Sequence, residues 1–337
     1  LLSTLSEKRA LLILLGIFTA GNLFSMLAPG YNSLVISRII TSLAHGSFFG
    51  IGAILAISLT PKDKQAGAVS LMFMGLTIAN IGGVPMAAWI GEIIGWRAAF
   101  LGTMVLGVVA MIAVILNIPE GEKGGKVDVW REVRALVQPS VLIIFAGTVM
   151  FASSLFTLYT YISVVLQTLA GAGHVSVALM LSVTGLGLTI GSVISGKLTI
   201  YWSIAKAPVL LFSLSAPSMF FYPLIASSYI GAAVITLIWG ITGYAPSPLL
   251  QTKIVSAAKD APALASSVNI GIFNLGNAVG AVIGGAVITA GFGYEWIAPA
   301  GGVVAALGAL SALIPMLSTK YVLSSSKNLM NSFKKNS

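Results

Sequence analysis

The sequence predicts an all-α membrane protein that crosses the bilayer about ten times. Three observations carry this reading. Of 337 residues, 57% are hydrophobic and only 8% charged, where a soluble domain carries about 25% charged residues. The apolar residues fall into stretches of roughly 20, the length that spans a hydrocarbon core. The basic residues collect in every second connection between those stretches, as they do on the cytoplasmic side of membrane proteins.

The spanning stretches run roughly over 10–28, 32–59, 66–91, 98–117, 139–167, 174–196, 207–227, 229–252, 262–290 and 294–318. An even number puts both chain ends on one side. Alternate connections hold Lys8 and Arg9; Lys62 and Lys64; Lys123, Lys126, Arg131 and Arg134; Lys197 and Lys206; Lys253 and Lys259; and Lys320, Lys327, Lys334 and Lys335. These are 16 of the 18 basic residues. The opposite connections hold only Arg97, and Arg38 lies inside a span. This asymmetry assigns both ends to the cytoplasm. The polar stretch from Pro119 to Arg134 separates four spans from six, and from Val127 it reads as a short amphipathic surface helix. The expected organisation is an N-terminal half over 1–118, a cytoplasmic linker over 119–137, a six-helix half over 138–320 and a cytoplasmic tail over 321–337.

Composition also removes function classes. Without Cys there are no disulfides, thiolate metal sites or Cys nucleophiles. Two histidines, His45 and His174, are too few for a His-based metal cluster. The net charge of +9 belongs to cytoplasmic loops rather than to nucleic-acid binding. There is no HExxH, G-x-S-x-G or Walker motif. Neither an enzyme nor a cofactor is expected. No signal peptide is visible. The chain starts at Leu1 rather than Met, which reads as a lost N-terminus.

The polar residues inside spans are few. Arg at a membrane helix centre costs about 2.5–3.5 kcal/mol on insertion scales, so Arg38 calls for a partner or a wet cavity. Arg38, Ser42 and His45 share one helical face. No Asp or Glu lies mid-membrane: Glu92 and Glu295 stand at outer ends of spans, and His174 reads as an exposed residue of an outer connection.

The third span carries small residues at every fourth position, Gly75, Ala79, Gly83, Ala87 and Gly91, with Gly82 and Pro85 marking a kink. The ninth carries Gly276, Gly280 and Gly284. Such ridges allow close packing in lipid, either as plain packing or as surfaces that rock against partners across the two halves. Asn80, Asn269, Asn274 and Asn277 either bond neighbouring helices or face substrate, as does Asn22. In the fifth span Ser153, Ser154, Phe156, Thr157, Tyr159 and Tyr161 would suit a moderately polar organic solute, although interfacial anchoring explains the two tyrosines equally well. Trp239, Thr242, Tyr244 and the Pro246-Ser-Pro248 break mark the eighth. A weak internal repeat pairs Gly91–Trp96 with Gly291–Trp296, six spans apart, as in transporters built from parallel repeats.

The stretches Ser37–Gly52, Leu71–Pro85, Gly95–Phe100 and Ala263–Gly276 resemble the major facilitator superfamily. More narrowly, they are similar to its bacterial drug:proton antiporter group, in the branch of sugar-efflux and arabinose-polymer-efflux permeases, chloramphenicol exporters and purine effluxers. The resemblance implies two six-helix halves, of which the first two helices would be missing here. It also implies a monomer in the cell inner membrane that exchanges a small organic solute for protons by alternating access.

Arg38 matches the fourth-helix arginine implicated in proton transfer, although Thr41 and Ser42 replace the usual Gln-Gly after it. Gly82, Gly83 and Pro85 resemble, loosely, the fifth-helix antiporter motif. On this reading Arg38, His45 and Asn80 line the substrate and proton pathway from one half, and Tyr159, Tyr161, Asn269, Asn274 and Asn277 from the other. The intramembrane Glu that this branch tends to carry in its first helix would precede Leu1. An importer on the same fold, or an inactive fragment or sensor, are the other readings.

Overall fold

The computed structural model describes residues 5–61, 65–121, 129–201 and 207–313. Lys62, Lys64, Lys123, Lys126, Lys206 and the tail lie outside these residues. In chain order the helices are α1 (Glu7–Leu27), α2 (Tyr31–Ser58), α3 (Gln65–Ile78), a π-helical turn (Ala79–Gly83), α4 (Val84–Ile93), α5 (Trp96–Asn117), α6 (Val129–Leu136), α7 (Pro139–Tyr159) and α8 (Ile162–Ala170). There follow α9 (His174–Tyr201), α10 (Ala207–Phe220), α11 (Tyr222–Ile225), α12 (Tyr229–Tyr244), α13 (Pro246–Ala257), α14 (Pro262–Thr289) and α15 (Tyr294–Leu313). No strand occurs among the described residues.

Nine helical runs among the described residues are long and apolar enough to cross a membrane: α1, α2, α3 through α4, α5, α7, α9, α12 through α13, α14 and α15. The seventh expected span, 207–227, divides at Phe221 into α10 and α11. Pro223 lies just inside α11 and Pro217 within α10; proline has no N–H to give and its ring crowds the carbonyl four residues back. The expected span 139–167 likewise divides into α7 and α8 at Thr160–Tyr161. The Pro246-Ser-Pro248 break separates α12 from α13. That run reaches Ala257, so Lys253, expected in a connection, stands within a helix.

The kink expected at Gly82 and Pro85 takes the form of the π turn. Val84 N–H returns to the carbonyl of Ala79, five residues back. One wider turn accommodates Pro85, which has no N–H to continue the four-residue ladder. Gly95 (φ 114°) and Gly291 (φ 82°) turn the chain between α4 and α5 and between α14 and α15. Only glycine adopts these positive φ values cheaply, and the two glycines stand at different positions of the Gly91–Trp96 and Gly291–Trp296 repeat, the fifth and the first.

The chain clusters into two compact units. The first comprises Leu1–Val141, Ala172–Leu186 and Ile254–Gly271, and the second Leu142–Gly171, Gly187–Lys253 and Ile272–Ser337. In the first unit α1 packs against α2 and α5. Lys8 donates to the Ile115 carbonyl at 3.0 Å and Arg9 pairs with Glu120 at 3.3 Å, tying the start of α1 to the end of α5. Arg97 donates to the Ala28 carbonyl at 2.8 Å, tying the other ends of the same two helices.

In the second unit the ridge Gly276, Gly280, Gly284 lies against α7. A Cβ on Gly280 would come within 2.8 Å of Thr157 N, and one on Gly276 within 2.8 Å of the Val149 carbonyl. This close contact joins two helices of one unit. The third-span ridge differs: a Cβ on Gly75 or Gly82 would meet nothing within 4 Å.

Gly280→Val is therefore expected to force α7 and α14 apart, at a cost of about 1–3 kcal/mol, and to lower the thermal midpoint of the purified protein in detergent. Gly75→Ala should leave that midpoint unchanged.

Candidate functional site

Each unit carries one cluster of polar or aromatic side chains within its apolar helices. In the first unit, α1 and α2 meet through Gly21, whose missing side chain makes room for Thr41. Around this contact the hydroxyls bond to one another or to helix carbonyls. Ser25 and Ser37 share a 2.8 Å hydrogen bond, Ser25 donates to the Gly21 carbonyl at 2.9 Å, and Thr41 donates to the Ser37 carbonyl at 2.9 Å. Asn22, only 1% exposed, donates its Nδ2 to the Phe18 carbonyl at 2.8 Å. That bond fixes the amide so that Oδ1 points at Arg38, whose Nη1 lies 3.5 Å away.

The guanidinium also lies 5.4 Å from the ring centroid of Phe100 on α5. Arg38 thus draws on three helices, yet it donates one long hydrogen bond and meets one ring face. A guanidinium has five N–H donors. No carboxylate pairs with it among the described residues. Two turns further along the same helix, His45 is exposed and meets the Phe49 ring edge to face at 5.4 Å. Ser42 donates to its own helix at Ile39.

Asn80 falls inside the π turn. Its carbonyl lies against Gly185 of α9, where a Cβ would reach within 2.8 Å of the Ile81 Cα. Asn269, 4% exposed, belongs to the first unit together with Arg38 and His45.

In the second unit the hydroxyls expected to face solute serve helix packing. Ser153 donates to the Gly276 carbonyl at 3.1 Å and Ser154 to the Gly301 carbonyl at 2.9 Å. Tyr161, just past the end of α7, donates to the Ala281 carbonyl at 2.9 Å, and its ring covers Gly284. What remains is aromatic. Rings follow one another from Tyr244 to Phe151, Phe273, Phe156, Tyr159, Trp239 and Tyr222, with centroids 5.4–6.4 Å apart.

Phe151, Trp239 and Tyr222 are buried, while Phe156, Tyr159, Phe273 and Tyr244 keep a partly open edge. Asn277 stands one turn after Phe273. Its Nδ2 donates to the Asn274 Oδ1 at 3.4 Å, and its own Oδ1 is buried without a hydrogen-bond partner. This cluster can stack a flat apolar solute and offer it a hydrogen-bond acceptor. Among the described residues no group of His, Asp or Glu could hold a metal ion.

Sequence reasoning marked Arg38 and Tyr159 but missed Phe100 beside the first and did not place Phe156 and Trp239 beside the second. It also missed the ion pair between His174 on α9 and Glu92 on α4. Their shared signal in the sequence is that both stand at ends of spans on the side poor in basic residues.

The sequence profile of the Major Facilitator Superfamily matches residues 1–269. Among curated relatives, the inner membrane transport protein YdhP of Escherichia coli K12 is 47% identical over 313 residues, covering 92% of this chain and 79% of that protein. The uncharacterized MFS-type transporter YfhI of Bacillus subtilis is 33% identical over 317 residues, covering 94% of this chain and 79% of its own. The fold is also similar to the crystal structure of a bacterial homologue of the human lysosomal transporter Spinster. There the TM-score is 0.63 and the identity 16%, over 97% of this chain and 84% of the other.

Tyr161→Phe is expected to cost about 1 kcal/mol of stability, the worth of one hydrogen bond between helices, measured by chemical unfolding in detergent micelles. Ser163→Ala on α8 is the control expected to leave stability unchanged.

Proposed function

The chain belongs to the Major Facilitator Superfamily, and on that premise we propose that this membrane transporter exports a small organic solute in exchange for protons. It works by alternating access, as a member of the drug:proton antiporter group. The observation that carries the proposal is Arg38: a cation on a spanning helix, held by Asn22 and Phe100 and with no carboxylate beside it among the described residues. Such a charge persists in a membrane where it serves an ion or substrate pathway. Arg38 governs the charge of the proton carrier, and His45 on the same helix face extends the polar path. Asn80 and Asn269 complete the polar residues of the first unit.

The solute is flat and mostly apolar with at least one hydrogen-bond donor. This is supported by the open edges of Phe156, Tyr159, Phe273 and Tyr244 and by the unpartnered Oδ1 of Asn277 beside Asn274. Tyr161 and the glycine ridge Gly276, Gly280, Gly284 keep α14 seated on α7 while the transporter moves. Gly75, Gly82, Gly83 and Pro85 form the flexible stretch of the first unit. The protein acts as a monomer in the inner membrane, the location that the name of its Escherichia coli relative gives for that protein. Both chain ends are cytoplasmic, on the basic-residue asymmetry. It catalyses no covalent chemistry and binds no nucleic acid.

In inverted vesicles, uptake of a planar aromatic test solute is expected to collapse on adding a protonophore. Arg38→Ala should lower transport at least about tenfold while the protein stays in the membrane. Transport that is insensitive to the protonophore would overturn the coupling, and normal transport by Arg38→Ala would assign the arginine a purely structural role. Tyr159→Ala should weaken apparent solute affinity while leaving proton movement intact.

A further inference from the structure

We propose that Glu92 and His174 form a proton-sensitive latch that holds the outer end of α4 to the start of α9. The inference rests on the proposed cytoplasmic chain ends, which put both residues on the outer face. The two helices are joined at two levels. In the middle, Gly185 sits against the backbone of Asn80 and Ile81, with no side chain between. At the end, the His174 imidazole Nδ1 meets the Glu92 carboxylate. His174 lies eleven residues before Gly185 and Glu92 twelve residues after Asn80, so the pair stands about 16–18 Å from the glycine contact, at 1.5 Å per residue. The π turn holds the glycine contact, and Pro85 lies between the two levels on the α4 side. The segment from Val84 to Ile93 therefore follows a weak point in the helix, and the ion pair sits at its tip.

The charge–charge attraction exists only while the imidazole carries its second proton and the carboxylate carries none; a neutral imidazole keeps at most a hydrogen bond. Histidine is the side chain that changes charge between about pH 5 and 8. Acid outside therefore favours the closed latch, and rising outer pH removes the charge and releases it. Few other charges interfere. The π turn, α3, and α9 as far as Leu186 contribute no other titratable group. On α5, which packs on α4, Arg97 is engaged by the Ala28 carbonyl at 2.8 Å and lies 4.2 Å over the Trp96 ring. The His174 side chain is 74% exposed and that of Glu92 35%, so the pair answers to the outer solution. An exposed pair of this kind shifts an equilibrium by about fivefold or less. It biases the outer opening without locking it.

The chain contains no cysteine, so Ile93→Cys with Val175→Cys, both at exposed positions, places two spin labels beside the latch without background. Distances between them are measured by pulsed electron resonance in proteoliposomes, at outer pH of about 5.5 and about 8.5 to bracket histidine's range. The short-distance fraction is expected to fall about two- to fivefold at the higher outer pH. Glu92→Gln and His174→Gln should each abolish that response, and His174→Lys should hold the short distance at both values. A distribution that ignores outer pH, or a response that survives in both glutamine variants, or one that follows inner pH, would overturn the latch. The readout needs no substrate, so it stands apart from any failure of the export reading.

Discussion

Lipid offers a backbone no hydrogen-bond partner, and the architecture of this protein follows from that constraint. Each spanning segment must satisfy its own N–H and C=O groups, so the described residues are helices joined by short turns. The constraint extends to side chains. Ser25, Thr41, Ser153, Ser154 and Thr157 all send their hydroxyl protons to helix carbonyls, their own or a neighbour's. Where the ladder fails, at Pro85 and at Pro217 with Pro223, the helix widens into a π turn or divides. At these interruptions a spanning segment can change direction.

With little hydrophobic force between helices inside a membrane, association depends on close approach and on polar contacts. Glycine supplies the first. Gly21 admits Thr41, and Gly276 and Gly280 bring α14 onto the backbone of α7. Serine and tyrosine supply the second, with Ser153 and Tyr161 bonding across the same pair of helices. Arg38 is different in kind. Its neighbours orient it without neutralising it: Asn22 is locked by its bond to Phe18, and Phe100 presents a ring face. In the second unit, helix carbonyls take up the Ser153, Ser154 and Thr157 hydroxyls of α7 and leave an aromatic series with an unpaired amide oxygen at Asn277.

Much of this was legible in the residues, for reasons that differ from element to element. The spans were readable because apolar length is fixed by bilayer thickness. The third-span kink was readable because Gly82, Gly83 and Pro85 lie together, but not its form, since a kink and a π turn have the same local sequence cause. The divisions at Tyr161 and Phe221 were not readable, because a broken helix and a long one are equally apolar. Lys253 was placed in a connection since charge was used to mark span ends, whereas α13 carries it within the helix. Serine and tyrosine on α7 looked solute-facing because sequence cannot tell a hydroxyl bonded to the next helix from a free one.

The sequence by itself determined the class of the protein, the approximate course of its apolar spans and the presence of one costly cation, because these depend on composition and order along the chain. Only the tertiary structure decided what that cation touches, that Gly276, Gly280 and Gly284 bind α7 within one unit, and that Glu92 meets His174. Those depend on which faces of distant helices come together. In a membrane many apolar faces are equally acceptable, and single glycines, serines and prolines settle the choice.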